Sequence, residues 1–256
     1  MSAQPHLIPH FSPRQRVAAD CTLVADRTQA VRAGRFFGTL SPALRSEILR
    51  RGYLRNFRDG EPIAFRGDSQ LEWMACAMGA VRVSSTTASG RQITFEYIGP
   101  GDWFGESAMF DEAARLHDAH AHGDTTLLCV SRTDVQALLA SQPDFCTALL
   151  RLQSQRIRSL FCRVEDIKTL PLRSQLAKQL LSLGAQYGVP AAGSDGAVCI
   201  DLRLAQEDLA QLLGASRQRV NKELKAMERD QHIRIQPRVI VLRDPRALER
   251  TSEIGR

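Results

Sequence analysis

The side chains best suited to chemistry on a partner lie in one stretch, Leu204 to Arg229, LAQEDLAQLLGASRQRVNKELKAMER. Arg217, Gln218, Arg219, Asn221, Lys222, Lys225 and Arg229 crowd its second half. Guanidinium, amide and ammonium groups at helical spacing can donate to phosphate oxygens and to base edges. Val220, Leu224 and Met227 recur among them at helical spacing, so one side of the same helix is apolar and can pack. Upstream, Leu209, Leu212 and Leu213 form a second helical stripe beside the small Ala210. Gly214 then supplies the left-handed residue at which the chain reverses, and Ser216 is the expected N-cap of the basic helix. A charge run usually ends as a solvated surface, but the glycine turn and serine cap argue for a helix-turn-helix. Ile233 to Val241, IRIQPRVIV, alternates apolar and polar residues on both sides of Gln236-Pro237-Arg238, as a small hairpin would. Helix, turn, helix and hairpin together describe a winged helix.

Two other groups of reactive side chains carry less. His117, Asp118, His120 and His122 lie close together, and on a strand Asp118, His120 and His122 would share a face, in principle enough for a metal. Histidines on a solvent-facing strand are commoner and no further ligands are visible, so no metal site is expected. The six cysteines, Cys21, Cys76, Cys129, Cys146, Cys162 and Cys199, are scattered without a CxxC pair, which argues against a disulfide framework or a thiolate metal site and suits a reducing cytoplasm. No motif places a nucleophile beside a base, so no enzymatic activity is expected.

These residues need elements to position them. Residues 1–30 carry prolines at 5, 9 and 13 and no sustained period, and read as an irregular arm. Ser41-Pro42 opens a helix bearing Leu44, Ile48 and Leu49. From Tyr53 the period changes to two, with turn signals at Asp59-Gly60, Gly67-Asp68, Gly79, Ser89-Gly90 and Gly99-Pro100-Gly101-Asp102, which predicts a β-barrel or roll within residues 31–141. Thr133 to Leu139 reads as helical. A longer helix follows over residues 142–170, with Phe145, Leu149, Leu152, Leu160, Val164 and Ile167 along it and an interruption near Arg156. At roughly 25 residues and about 37 Å it is long for a lone surface helix, so a seam with a second copy is expected. Leu170-Pro171 is the expected hinge to residues 171–256. There, Leu172 to Ala185 reads as a helix, Gly188 to Gly196 as a loop and Val198 to Leu204 as a strand.

The pieces together resemble the Crp/Fnr family of bacterial transcription regulators. Its recognition-helix pattern, S-R-x-x-V-x-[KR], is met from Ser216 to Lys222. Phe57, Gly60-Glu61, Ile63, Gly67-Asp68, Gly79-Ala80-Val81 and Gly101-Asp102-Trp103-Phe104-Gly105-Glu106 match its cyclic-nucleotide-binding roll. The resemblance implies an α+β protein: an N-terminal antiparallel, jelly-roll-type β-roll, a long dimerisation helix and a C-terminal winged helix-turn-helix. It implies double-stranded DNA, a second copy of the chain and RNA polymerase as partners. It also makes Arg217, Gln218 and Lys222 the candidate base readers, and Arg219, Lys225 and the wing's Arg238 the candidate phosphate contacts.

For the effector side, cyclic-nucleotide binders of this family enclose sugar and phosphate between a Gly-Glu pair and an Arg-Ser pair. Here Gly105-Glu106 and Arg115 are present, but Leu116 replaces the serine and the intervening loop is one residue shorter. A Thr-Ser pair that touches adenine aligns with Leu160 and Phe161. A possible small-molecule effector of nucleotide type is therefore expected to be something other than cAMP bound in the usual way. An Fnr-type redox centre would need an N-terminal cysteine cluster, which Cys21 alone does not supply.

Size and charge fit this reading. The 256 residues suffice for two ordinary domains, and a net charge of +6 suits a polyanionic partner. The first twenty residues hold no signal-like apolar core and no run approaches the roughly 20 apolar residues that cross a bilayer, so a cytoplasmic protein is expected.

Overall fold

A computed structural model describes residues 28–69, 72–111, 113–191 and 196–254. Most of the expected arm, Cys21 included, lies outside them. Its end is not irregular: helix α1 (Gln29–Ala33) crosses the boundary expected at residue 30, and α2 (Arg35–Gly38) follows it. They form because Val31 and Phe37 are anchored in the roll's core. Helix α3 (Pro42–Arg51) starts as expected, with Ser41 Oγ accepting the Leu44 N–H at 3.3 Å and Pro42 in the first turn.

The roll is one antiparallel sheet of β1 (Tyr53–Phe57), β2 (Pro62–Ala64), β3 (Glu72–Thr86), β4 (Gln92–Ile98), β5 (Trp103–Phe104) and β6 (Asp118–Ser131). Its main order is β1-β6-β3-β4, with β2 on β6 and β5 on β3. Gly79 is not a turn between strands but lies inside β3, where the register with β6 shifts. Its φ of 78° and a backbone oxygen 2.4 Å from where a Cβ would stand admit only glycine at this bulge. The core centres on Trp73 and Trp103, stacked with centroids 3.8 Å apart, with Phe37 on one side and Phe145 on the other.

After the short α4 (Ser107–Phe110) and β6, helix α5 (Arg132–Ser141) is capped by Ser131. Helix α6 (Pro143–Thr169) then runs for 27 residues, about 40 Å. The stripe expected on it divides. Phe145 and Leu149 are buried in the roll, whereas Leu160, Val164 and Ile167, with Leu150 and Ile157, are exposed. Leu150, Ile157 and Val164 recur every seven residues, and Leu160 and Ile167 stand three after the last two. This is the heptad spacing of a coiled-coil seam.

Beyond Pro171 come α7 (Leu172–Tyr187), β7 (Gly188–Pro190), β8 (Val198–Ile200), α8 (Gln206–Leu213), α9 (Arg217–Arg229), β9 (Ile233–Gln236), β10 (Val239–Leu242) and α10 (Pro245–Glu253). The stretch read as a loop from Gly188 begins as a strand, because Gly188 to Pro190 pair with β8 despite their loop-like composition. The strand read from Val198 to Leu204 stops at Ile200. These elements form a second sheet, β7-β8-β10-β9, against the helices. Its core draws in Ala80 and Tyr97 from the roll, so the two parts of the chain are packed on each other. Among the described residues no helix is long and apolar enough to cross a membrane.

The packing makes the thiols unequal. Burial pushes the Cys76 thiol up to about 12 and raises that of Cys129 as well, whereas Cys146 and Cys162 are exposed. Brief alkylation of the native protein at mildly alkaline pH should modify Cys162 and Cys146 and spare Cys76 and Cys129, as read by peptide mass spectrometry. Comparable labelling of Cys76 would contradict the closed sheet described here.

Candidate nucleic-acid interface and effector pocket

The basic helix is built from its turn outward. Gly214 adopts φ 61°, and the Ala215 N–H closes onto the Ala210 carbonyl at 3.1 Å, ending α8. The start of α8 is half capped: Asp208 accepts the Ala205 N–H at 2.7 Å, but Ala205 has no oxygen with which to return the bond. Ser216 Oγ accepts the Arg219 N–H at 3.4 Å, a long bond at the expected cap of α9. Val220, Leu224 and Met227 are fully buried. With 3.6 residues per turn, Gln218, Lys222, Lys225 and Arg229 fall on the opposite face, and all four are exposed. Arg217 and Arg219 are exposed beside that face at the helix start.

The wing is tied to the same helix. Glu228 of α9 accepts the Ile235 N–H of β9 at 2.8 Å, and Gln236 pairs with Val239 across Pro237-Arg238. Arg238 is exposed at this tip with φ 62°, a conformation that costs a non-glycine residue on the order of 1 kcal/mol or more. The six candidate DNA contacts and the capping Ser216 thus lie in one unit: Ser216, Arg217, Gln218, Arg219, Lys222 and Lys225 along the start and outer side of α9, and Arg238 on the wing.

The candidate effector residues are only partly brought together. Gly105 and Glu106 follow β5, and the Arg115 guanidinium folds back so that one nitrogen lies 3.1 Å from where a Cβ on Gly105 would stand. Its other terminal nitrogen donates to the Glu72 carbonyl at 3.1 Å, and burial holds the guanidinium's pKa below its usual range. Glu106 is 1% exposed. Its Oε1 accepts from Gln153 at 2.6 Å and is ion-paired with Arg156, both from α6, and Arg156 also donates to the Trp103 carbonyl. Leu116, Leu160 and Phe161 are exposed, the last two on α6. Arg156 and Gln153 were missed among the site residues, although the polar break in the stripe near Arg156 was the visible sign of them.

The histidines do not converge. His117 lies tilted against Phe95 with ring centroids 4.4 Å apart, His120 meets Phe65 edge-on and His122 bonds to the Arg203 carbonyl at 2.7 Å, while Asp118 accepts the Arg66 N–H. Among the described residues no group of three or more His, Cys, Asp or Glu could hold a metal ion.

The family model for the cyclic nucleotide-binding domain matches residues 54–142, and that for the Crp-like helix-turn-helix domain matches residues 174–251. A "Cyclic AMP receptor protein" from Thermus thermophilus is 30% identical over 195 residues, 76% of this chain and 86% of that protein. The chain belongs to the Crp/Fnr family of DNA-binding transcription regulators. A "CRP-like cAMP-activated global transcriptional regulator" from Mycobacterium tuberculosis is 27% identical over 221 residues, 86% of this chain and 97% of that protein. The solved structure of FixK2 from Bradyrhizobium japonicum shares the fold, with a TM-score of 0.71 at 19% identity over 80% of this chain and 99% of that one.

In this Crp/Fnr chain Glu106 is therefore engaged from within by the long helix. Glu106 is buried but the Arg156 side chain is 36% exposed, so removing the cation strands the carboxylate at a cost of about 1–3 kcal/mol, below that of a fully buried pair. Arg156→Ala should accordingly lower unfolding stability in urea titrations, whereas Arg156→Met combined with Glu106→Gln should recover most of the loss. A single Arg156→Ala variant as stable as the parent would show that Glu106 does not depend on this cation.

Proposed function

We propose that the chain acts as a homodimer on DNA, its two α9 helices entering successive major grooves about 34 Å apart. The observation that carries this reading is the two-sided helix α9, with Val220, Leu224 and Met227 buried and Gln218, Lys222, Lys225 and Arg229 exposed opposite them. The uncovered heptad spacing on α6 supports two-fold symmetry, since exposed Leu150, Ile157, Leu160, Val164 and Ile167 would find cover on a second copy. Domain limits of 31–141, 142–170 and 171–256 belong to the same reading, as does RNA polymerase as a further partner in the cytoplasm.

Within it, Arg217, Gln218 and Lys222 read bases, while Arg219, Lys225 and Arg238 hold phosphates and Ser216 caps the helix. Glutamine can pair with adenine, and lysine lacks the fork with which arginine reads guanine, so the half-site differs from that of the family's reference cAMP-responsive regulator, which has Arg, Glu and Arg at these positions. Selection from a random DNA library should yield a two-fold symmetric site with a new half-site. Arg219→Ala should weaken binding to all sequences alike and lower the salt slope by about one. Recovery of the reference half-site, or an altered sequence preference on Arg219→Ala, would count against these roles.

The roll is proposed not to take cAMP in the family's usual way. Oε1 of Glu106 already serves Arg156 and Gln153, and leucine or phenylalanine stands at the positions of three expected hydroxyls. Each lost hydroxyl contact costs roughly 1–3 kcal/mol. A second reading, a cyclic mono- or dinucleotide sensor, draws on the closeness of Gly105 and Arg115. Isothermal titration should show no micromolar cAMP binding; saturable binding at that level would favour the second reading.

A further inference from the structure

We infer that strand β4 is a strut between the long helix and the helix-turn-helix, and that Thr94 and Arg91 are positioning residues which set the angle of α9 for DNA. The inference rests on the DNA-binding dimer proposed above. Two adjacent residues of β4 face different ways. The Phe95 carbonyl accepts from Arg163 of α6 at 2.9 Å, while the Thr94 hydroxyl donates to Gln211 Oε1 in the last turn of α8 at 2.9 Å. Thr94 is 1% exposed. From the hairpin leading into the strand, Arg91 donates to the carbonyl of Gly214 itself at 3.0 Å. Two residues further on, Ser216 begins the recognition helix.

The rest of the seam makes this grip a built interface. Tyr97, two residues beyond Phe95, is buried with Ala80 in the core of the winged helix. On the same interface Gln186 donates to Asp102 at 2.6 Å, and His122 bonds to the Arg203 carbonyl at 2.7 Å. Gly99 lets Tyr187 approach, since a Cβ there would stand 3.0 Å from the phenol ring.

What is held, and what is not, decides the role. These contacts engage α8, its turn, the segment before it and the end of α7. The outer face of α9 stays exposed, so the grip orients the helix rather than covering it. Its lever is long. A helix of 13 residues reaches about 20 Å, so a rotation of roughly 10° about its origin moves the far end by about 3.4 Å, one base-pair step. In a dimer the same rotation acts on both half-sites, and the quantity it sets is their spacing.

The test compares the full-length chain with Arg91→Ala/Thr94→Val, and with Gly99→Ala as an independent wedge elsewhere in the seam, after circular dichroism shows each variant to be folded. Hydrogen exchange is followed at residues 211–216. DNA selection uses paired half-sites with the spacer randomised in length. The parent should recover one spacer. Both variants should exchange faster at the turn and accept neighbouring spacers with an unchanged half-site sequence; the double variant should bind the parent's site more weakly by about tenfold or more, as expected for the loss of one neutral hydrogen bond and one exposed charge-assisted one. Unchanged exchange and an unchanged single spacer would overturn the inference while leaving the DNA-binding reading intact. Tighter binding by the double variant would also overturn it, by making the grip a brake. A parent chain with no sequence-specific DNA binding would remove the earlier reading and the positioning role with it.

Discussion

A carboxylate that is 1% exposed must be neutralised or paired, and much of this architecture follows from how Glu106 meets that demand. Its partner comes from the middle of α6. The pair therefore fastens the long helix over the roll, close to where Phe145 joins the Trp73–Trp103 stack. With the beginning of the helix sunk in that aromatic core and its middle held by charge, the later turns keep a fixed direction. Their apolar spacing is then presented outward as a continuous line.

The same economy appears in α9, where one helix serves two solvents. Packing needs only the narrow stripe of Val220, Leu224 and Met227, which leaves most of the circumference for donors. The wing is attached to this helix through Glu228, so a carboxylate within a basic segment has a structural task and does not simply dilute the charge. Arg238 holds a left-handed conformation at the tip, where glycine or asparagine would be the easier choice. Local strain there accompanies a cation kept in an exposed position.

Legibility in the sequence followed the range of the forces involved. Ser41, Gly214 and Ser216 act on their immediate neighbours, and helix starts and the turn could be read from them directly. Alternation located the roll, but Gly79 was read as a turn, because a bulge and a turn ask for the same backbone freedom and only strand pairing tells them apart. Strand β7 was hidden because pairing with β8 overrides the loop-like composition of Gly188 to Pro190. The apolar stripe of α6 was visible as one feature although it serves two, since periodicity does not say which neighbour covers each turn. Least legible was the effector side. Glu106 and Arg115 stood out by their motif, whereas Arg156 and Gln153 reach Glu106 from far along the chain, and only their polarity within an apolar stripe marked them.

Because Ala80 and Tyr97 of the roll complete the core of the winged helix, the cut suggested by the helix break and expected hinge at Leu170-Pro171 is not the edge of a portable module. A chimera joined at that hinge would bring in a foreign winged helix whose surface was never fitted to this tyrosine, and would leave an aromatic ring facing water. Exchange of DNA-reading domains between relatives should therefore succeed most readily where the junction is accompanied by the strand that carries Tyr97. In this chain the packed unit that carries DNA recognition is discontinuous, a C-terminal domain together with a piece of sheet from the other half of the molecule.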